Sequence, residues 1–490
     1  MGRRVRWKQR RTSVSVGSGA VWSGLNTIVM KASNIAVTVV VVRLVSPHDF
    51  GVFTAALVAG TIATAICELG VASTLIRRDL DLGRLAPTVV AIAWVWAVLL
   101  AVVMASAAEP IGIVLGSSEA AEPIRVLALG VALSGFSAVP GSLLARGFKQ
   151  GSLFLASALA FVPSSALLLF LASGGAGAMA FAWSKVVGGL VSATAMAIFA
   201  RRWFWPRFDR VAFAEVLRIG IPLAGANLIG YVLLNADFAL VGHSLGPAQL
   251  GIYSVAFTVS SLSVSVLSSV LNSVAMPAFS EHAGDPAGIR SSVGKWLHAV
   301  FLMGAPVCGL TMAFSHEIIS VLYGTSWAPA AAVVGILALY GIPMLVELMM
   351  SNLLVALGKT GTVLLVQGVW LVVLGLAMAV GLQLVGLTGV AWAHVAVLLG
   401  VVLPLQVGLL TRALPRVLAG LWKLAIRPMV ATVAAAAIGT ALAIPMPTDA
   451  SRLFVGGAAA ALVYAGGLRR EWAVYLPALR PGRSALREEA

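Results

Sequence analysis

Charge is what this chain lacks most: only 10% of its 490 residues are Asp, Glu, Lys or Arg, while 60% are hydrophobic. A water-soluble globule covers its core with a mixed charged surface, so this composition excludes one. Acidic residues are scarcest, 18 against 33 Lys and Arg. Two cysteines cannot build a disulfide framework, and both Cys67 and Cys308 fall inside apolar runs, where they read as inert core thiols. The sequence contains no Walker A loop, no paired HxxxH or CxxC ligands, no GxSxG elbow and no glycine-rich dinucleotide fingerprint. ATP-driven chemistry within the chain is therefore not expected, and neither is a cofactor or metal beyond a coupling proton or Na+.

What the chain has instead is apolar length. A helix needs roughly 20 apolar residues to cross a bilayer. About fourteen such runs can be read, near 18–42, 50–74, 85–107, 123–145, 152–173, 177–200, 217–242, 250–275, 294–315, 328–350, 360–383, 386–410, 426–446 and 452–468. The expected fold is all-α and polytopic. The basic N-terminus before the first run imitates a signal peptide, but that run is too long, carries Lys31 and lacks a small-residue cleavage site, so it reads as span one.

The net charge of +15 is a topology signal rather than a nucleic-acid footprint. If the N-terminus is cytoplasmic and the spans alternate, most Lys and Arg fall on the cytoplasmic side: Arg3 to Arg11, Arg77 to Arg84, Arg201 to Arg218, Arg412 to Arg427 and Arg469 to Arg487. Arg43, Arg125 and Arg452 fall outside, and Lys31 and Lys185 lie within spans. The positive-inside rule then puts both termini in the cytoplasm of a bacterial plasma membrane protein.

The chain also repeats itself. VSPHDFGVF at 45–53 returns as LGPAQLGIY at 245–253, so Pro47, Gly51 and Phe53 answer to Pro247, Gly251 and Tyr253. GSLLARGFKQG at 141–151 matches SNLLVALGKTG at 351–361, and GAMAFAW at 177–183 matches GVAWAHV at 389–395. Matches in register imply a duplicated unit, a plan many transporters use for alternating access. The expected organisation is a basic segment 1–17, six spans in 18–216, six in 217–412, an additional pair in 413–468 and a basic tail 469–490. Short loops leave no room for a soluble domain. Pro163, Pro306, Pro343 and Pro404 within spans read equally as static kinks or as points of bending. Trp183, Trp327, Trp392 and Trp422 near span ends read as interfacial anchors.

Polar residues fall in stripes on the first two spans of each half. Span one has Thr27, Lys31, Asn34 and Thr38; span two has Thr54, Thr61, Thr64 and Glu68. Span seven has Asn227, Tyr231 and Asn235, with Asp237 pointing elsewhere, and span eight has Ser254, Thr258, Ser261, Ser265, Ser268 and Asn272. Each hydroxyl alone reads as back-bonding to its own helix, but equivalent placement in two repeats favours a shared wet cavity. Candidate substrate-binding residues are Lys31, Asn34, Lys185, Asn227, Asn235, Ser261 and Ser265. Ionisable groups at membrane depth need a reason. Lys31 and Glu68 read either as a structural ion pair or as a cation site for an anionic substrate with Glu68 tuning it. Glu68, Asp237 and Glu347 are candidate coupling sites, and His394 reads either as another or as a satisfied interior histidine.

RLVSPHDFGVF (43–53), CELGVASTLIRR (67–78), NADFALVGHSLGPAQLGIYSVA (235–256), MPAFSEH (276–282) and YGTSWAPAA (323–331) together resemble the signature loops of the polysaccharide transporter (Wzx-type) flippases of the multidrug/oligosaccharidyl-lipid/polysaccharide superfamily. Glu68 stands where relatives more often carry aspartate. The resemblance implies two six-helix lobes in a V and a non-enzymatic flippase that moves a polyprenyl-diphosphate-linked oligosaccharide between leaflets for cell-surface polysaccharide synthesis. It also implies partnership with polymerase and export proteins. A cation-coupled drug or metabolite antiporter and a peptidoglycan-precursor (lipid II) flippase are alternatives on the same fold. A membrane glycosyltransferase is the alternative from another class.

Overall fold

The computed structural model describes residues 33–68, 75, 82–147, 149–281, 285–415 and 417–471, without the side chains of 68, 219, 221–227, 229, 263, 266, 269–281 and 286. Among the described residues there are helices and no strands. In sequence order the first-half helices are α1 (Ser33–Leu44), α2 (Pro47–Glu68), α3 (Leu82–Ser106), the short α4 (Ala108–Val114), α5 (Ala121–Arg146), α6 (Gln150–Ser173) and α7 (Ala178–Ala200). Then come α8 (Arg210–Glu281), α9 (Pro286–Ala313), the short α10 (Ser315–Tyr323), α11 (Ala330–Ala356) and α12 (Thr360–Val385). A helix broken in its middle follows as α13 (Leu387–Val397) and α14 (Leu403–Ala413). The chain closes on α15 (Lys423–Ala443) and α16 (Asp449–Gly467).

With the broken α13–α14 taken as one, ten of these helices are long and apolar enough to cross a membrane, among the described residues. Expected span one lies partly outside the described residues, and α16 opens with Asp449 and Arg452. Spans seven and eight run together as the 72-residue α8, non-helical only at Gly246. Sixteen residues of straight helix would separate Asp237 from Tyr253 by roughly 24 Å. Yet the Tyr253 hydroxyl donates to Asp237 at 2.9 Å, so the chain doubles back at Gly246. Its φ of +80 is open to glycine and costly to other residues, and Pro247 restarts the helix.

The repeated element in the first half begins differently. Pro47 stands at the first position of α2, where its missing N–H is no loss. Ser46 caps the helix: its Oγ accepts from Asp49 N (3.1 Å) and donates to Asp49 Oδ2 (2.7 Å). Asp285 caps α9 through Ala287 N and Gly288 N, both at 3.0 Å. Asp209 accepts from Val211 N at 2.8 Å and Ala212 N at 3.3 Å. Those amide donors hold its carboxyl below the usual range. The α15–α16 pair docks on α9, where the buried Tyr464 hydroxyl donates to Leu302 O at 2.8 Å.

An inter-half cleft, its outer seal and two buried carboxylates

The two halves meet where their repeated helices begin. Residues 51–56 of α2 and 251–256 of α8 are all buried, and beyond them both helices become partly accessible. The crossing is nearly symmetric. A Cβ on Gly51 would lie 1.7 Å from Pro247 O, and one on Gly251 would lie 2.0 Å from Pro47 O. Only glycine lets two backbones approach this closely.

Aromatic packing thickens the contact. Trp327 is fully buried, stands edge-on to Phe50 at 5.9 Å and donates through Nε1 to Val42 O at 3.2 Å. This corrects the reading of Trp327 as an interfacial anchor: the loop turns at Gly324 (φ +91) and carries the indole between the halves. Trp183, Trp392 and Trp422 are exposed. The Arg43 guanidinium donates to Leu322 O (2.7 Å) and Val321 O, carbonyls at the end of α10. His243 donates through Nδ1 to Val114 O at 2.9 Å. All these contacts lie at the end that charge placement assigns to the outside.

Past the seal, the polar stripes lie where the two helices become partly accessible. Thr258 is exposed, and Thr61, Thr64, Ser261 and Ser265 are half-buried. Their hydroxyls donate to carbonyls of their own helix at 2.7–3.1 Å, leaving oxygen lone pairs as the groups offered to a ligand. Asn34 is exposed on α1. Asn235 is half-buried and donates to Tyr231 O at 2.7 Å. Lys185 is exposed on α7. Lys31 and the side chains of Glu68 and Asn227 lie outside what the structure describes, as does the Lys31–Glu68 pairing.

Two carboxylates lie in the interior of the second half. Asp237 is 2% exposed, accepts from Tyr253 Oη (2.9 Å) and Phe238 N (2.9 Å), and lies 3.6 Å from His394 Nε2. His394 also contacts Tyr253 Oη at 3.3 Å and meets the Tyr340 ring edge-on at 5.4 Å, while its buried Nδ1 has no partner. The interior-histidine reading is thus only half satisfied. The second group is Glu347, whose Oε1 accepts from Ser351 (2.7 Å) and from Gln406 Nε2 (3.0 Å). A π-helical turn at Leu398–Val402 separates His394 from Gln406. Pro404 follows it without an N–H, and the widened turn aims both polar residues at α11. Sequence reasoning missed Tyr253, Ser351 and Gln406 as partners. The signal for Gln406 was a lone amide in an apolar run beside Pro404.

Residues 40–332, more than half of the chain, match the model of the family described as "Polysaccharide biosynthesis protein". The chain belongs to this family. Its relatives include the lipopolysaccharide biosynthesis protein WzxC of Escherichia coli (strain K12), 24% identical over 336 residues that cover 66% of each chain. Another is the succinoglycan biosynthesis transport protein ExoT of Rhizobium meliloti (strain 1021), 25% identical over 310 residues, 61% of each. The matches span about two thirds of these relatives' lengths, or less. Among solved structures, the lipid II flippase MurJ in its inward closed conformation shares the fold with a TM-score of 0.74 at 12% identity, covering 92% of this chain and 99% of that one. An inward-facing multidrug resistance MATE transporter of the MOP superfamily gives 0.62 at 18%, covering 80% and 94%. The family member here is therefore an all-helical, multi-pass membrane protein of the MurJ/MATE fold.

Proposed function

We propose that this protein is a flippase. It carries a polyprenyl-diphosphate-linked oligosaccharide from the cytoplasmic to the outer leaflet of the bacterial plasma membrane by alternating access, for cell-surface polysaccharide synthesis. The observation that carries this reading is the paired burial along α2 and α8: tight at 51–56 and 251–256, accessible beyond. Two repeat-related helices packed tightly at one end and partly accessible along the rest fit one of the two states such a mechanism needs. The relatives' names, which refer to lipopolysaccharide and succinoglycan biosynthesis, support the cargo class.

In this reading 18–216 and 217–412 act as two lobes, and both termini face the cytoplasm. Lys185, with Lys31, attracts the diphosphate, since a cation in a low-dielectric cleft binds phosphate more strongly than one in water. Asn34, Asn235, Ser261 and Ser265 meet sugar hydroxyls. Asp237 and Glu347 take up and release the coupling proton or Na+. The chain is a carrier and not an enzyme, and it hands its cargo to a polymerase and export machinery.

The test is mass spectrometry of lipid-linked glycans in a strain depleted of the protein, scoring leaflet by accessibility to an impermeant reagent. A polyprenyl-diphosphate oligosaccharide accumulating on the cytoplasmic face is the expected result. An unchanged pool sinks the flippase reading in favour of an antiporter working through Asp237. Accumulation of the peptidoglycan precursor alone transfers the reading to a lipid II flippase.

A further inference from the structure

A second cleft lies in the first half, away from the inter-half opening. Helices α3, α5 and α7 leave a cavity of about 350 Å3, walled by Val90 and Trp94, by Phe136 and Pro140, and by Leu190 and Thr194. Its walls are apolar: Trp94 and Phe136 pack ring to ring at 4.6 Å, and the Thr194 hydroxyl is turned onto Leu190 O at 2.8 Å. Phe136 and Leu190 are exposed, so the cleft opens on the surface that faces lipid.

One end of this cleft is built differently. Arg201, which ends α7, has φ +52 and is the one non-glycine residue with positive φ among the described residues. Such a conformation persists only where its surroundings enforce it. Here it turns the chain sharply, so that Arg202, Trp203 and Phe204 close the end of the cavity. The linker is then pinned across α3. Phe204 packs against the buried cluster that holds Leu85 and Val89, Arg207 N donates to Pro87 O at 3.2 Å, and Asp209 N donates to Thr88 Oγ1 at 3.3 Å.

The one acid of this linker, Asp209, already lies 3.7 Å from Arg84, whereas Arg201, Arg202 and Arg207 are exposed. Trp203 and Trp205 are 72% and 82% exposed. Indoles beside arginines at the end of an apolar membrane-facing slot match the boundary between acyl chains and headgroups.

We infer that this cleft is a binding site for an anionic phospholipid of the cytoplasmic leaflet, with an acyl chain along Trp94, Phe136 and Leu190 and the phosphate on Arg202. A free phosphate would satisfy Arg202 but not the slot, and a zwitterionic lipid would fill the slot without matching its charge. The inference stands apart from the proposed transport, because it uses none of the cleft residues of that reading.

The test is native mass spectrometry of the purified, delipidated full chain titrated with palmitoyl-oleoyl phosphatidylglycerol. One lipid should be retained at low concentration, with retention about fivefold or more weaker for phosphatidylcholine and for Arg202→Ala, and unchanged for Arg202→Lys. Leu190→Trp, which fills the slot from its exposed rim, should abolish retention while the melting temperature stays that of the parent. Equal retention of phosphatidylcholine, full retention in Arg202→Ala and Leu190→Trp, or displacement of the lipid by inorganic phosphate would each overturn the inference.

Discussion

At the scale of single residues, Asp237 carries the sharpest chemical demand. Its carboxylate is buried, and Tyr253 and the Phe238 amide spend their hydrogens on it. Removing an acceptor orphans buried donors at about 1–3 kcal/mol each. Asp237→Ala should therefore lower the melting temperature clearly. Asp237→Asn should stay nearer the parent, because the amide oxygen still accepts from Phe238 N while Nδ2 donates to Tyr253 Oη, whose own hydrogen can turn to His394 Nε2 at 3.3 Å. What asparagine cannot do is exchange a proton or hold a cation. Glycan export by Asp237→Asn should accordingly lose its dependence on the membrane ion gradient while the protein stays folded. Export that tracks the gradient as in the parent would remove Asp237 from coupling and leave it a structural acceptor for Tyr253.

At the scale of elements, the α2–α8 crossing separates what sequence could reveal from what it could not. The repeat was legible because Pro47 and Pro247, and Gly51 and Gly251, recur in register. Their purpose was not, since close approach of two backbones leaves no periodicity of its own. The polar stripes were legible as faces, yet the hydroxyl donors turned out to be satisfied within their own helices, so the stripes offer acceptors rather than donors. Trp327 was misplaced because a tryptophan at a span end looks the same whether it meets lipid or a neighbouring lobe. The crossing also yields a prediction. In Gly51→Leu, any side chain must displace Pro247 O, which should part the outer ends of the two helices. A cysteine at Ala56, fully buried in the parent, reports this once Cys67 and Cys308 are replaced. It should resist an impermeant maleimide applied outside in the Gly51 background and react in Gly51→Leu. Resistance in both backgrounds, with Gly51→Leu still inserted and exporting, would mean that the crossing is not a moving seal.

At the scale of the whole molecule, the seal and the charge pattern must point the same way. Arg43, Trp327, His243 and the glycine crossing close one end. The linker arginines 201–210 follow α7, on the side that the positive-inside argument assigns to the cytoplasm. In the proposed topology, where charge placement puts the seal outside, the cleft opens to the cytoplasm. Thr64→Cys and Ser265→Cys sit on repeat-related helices just past the seal, at half-buried positions. In inverted vesicles both should be labelled by an impermeant maleimide, and in right-side-out vesicles neither should be until the lobes rock. Lipid-linked glycan that drives the exchange should raise labelling in right-side-out vesicles at both positions together, because a rigid-body change moves both halves at once. Labelling from the outside alone in the resting protein would reverse the topology. A response at Thr64→Cys without one at Ser265→Cys would replace alternation of two lobes with a local opening on α2.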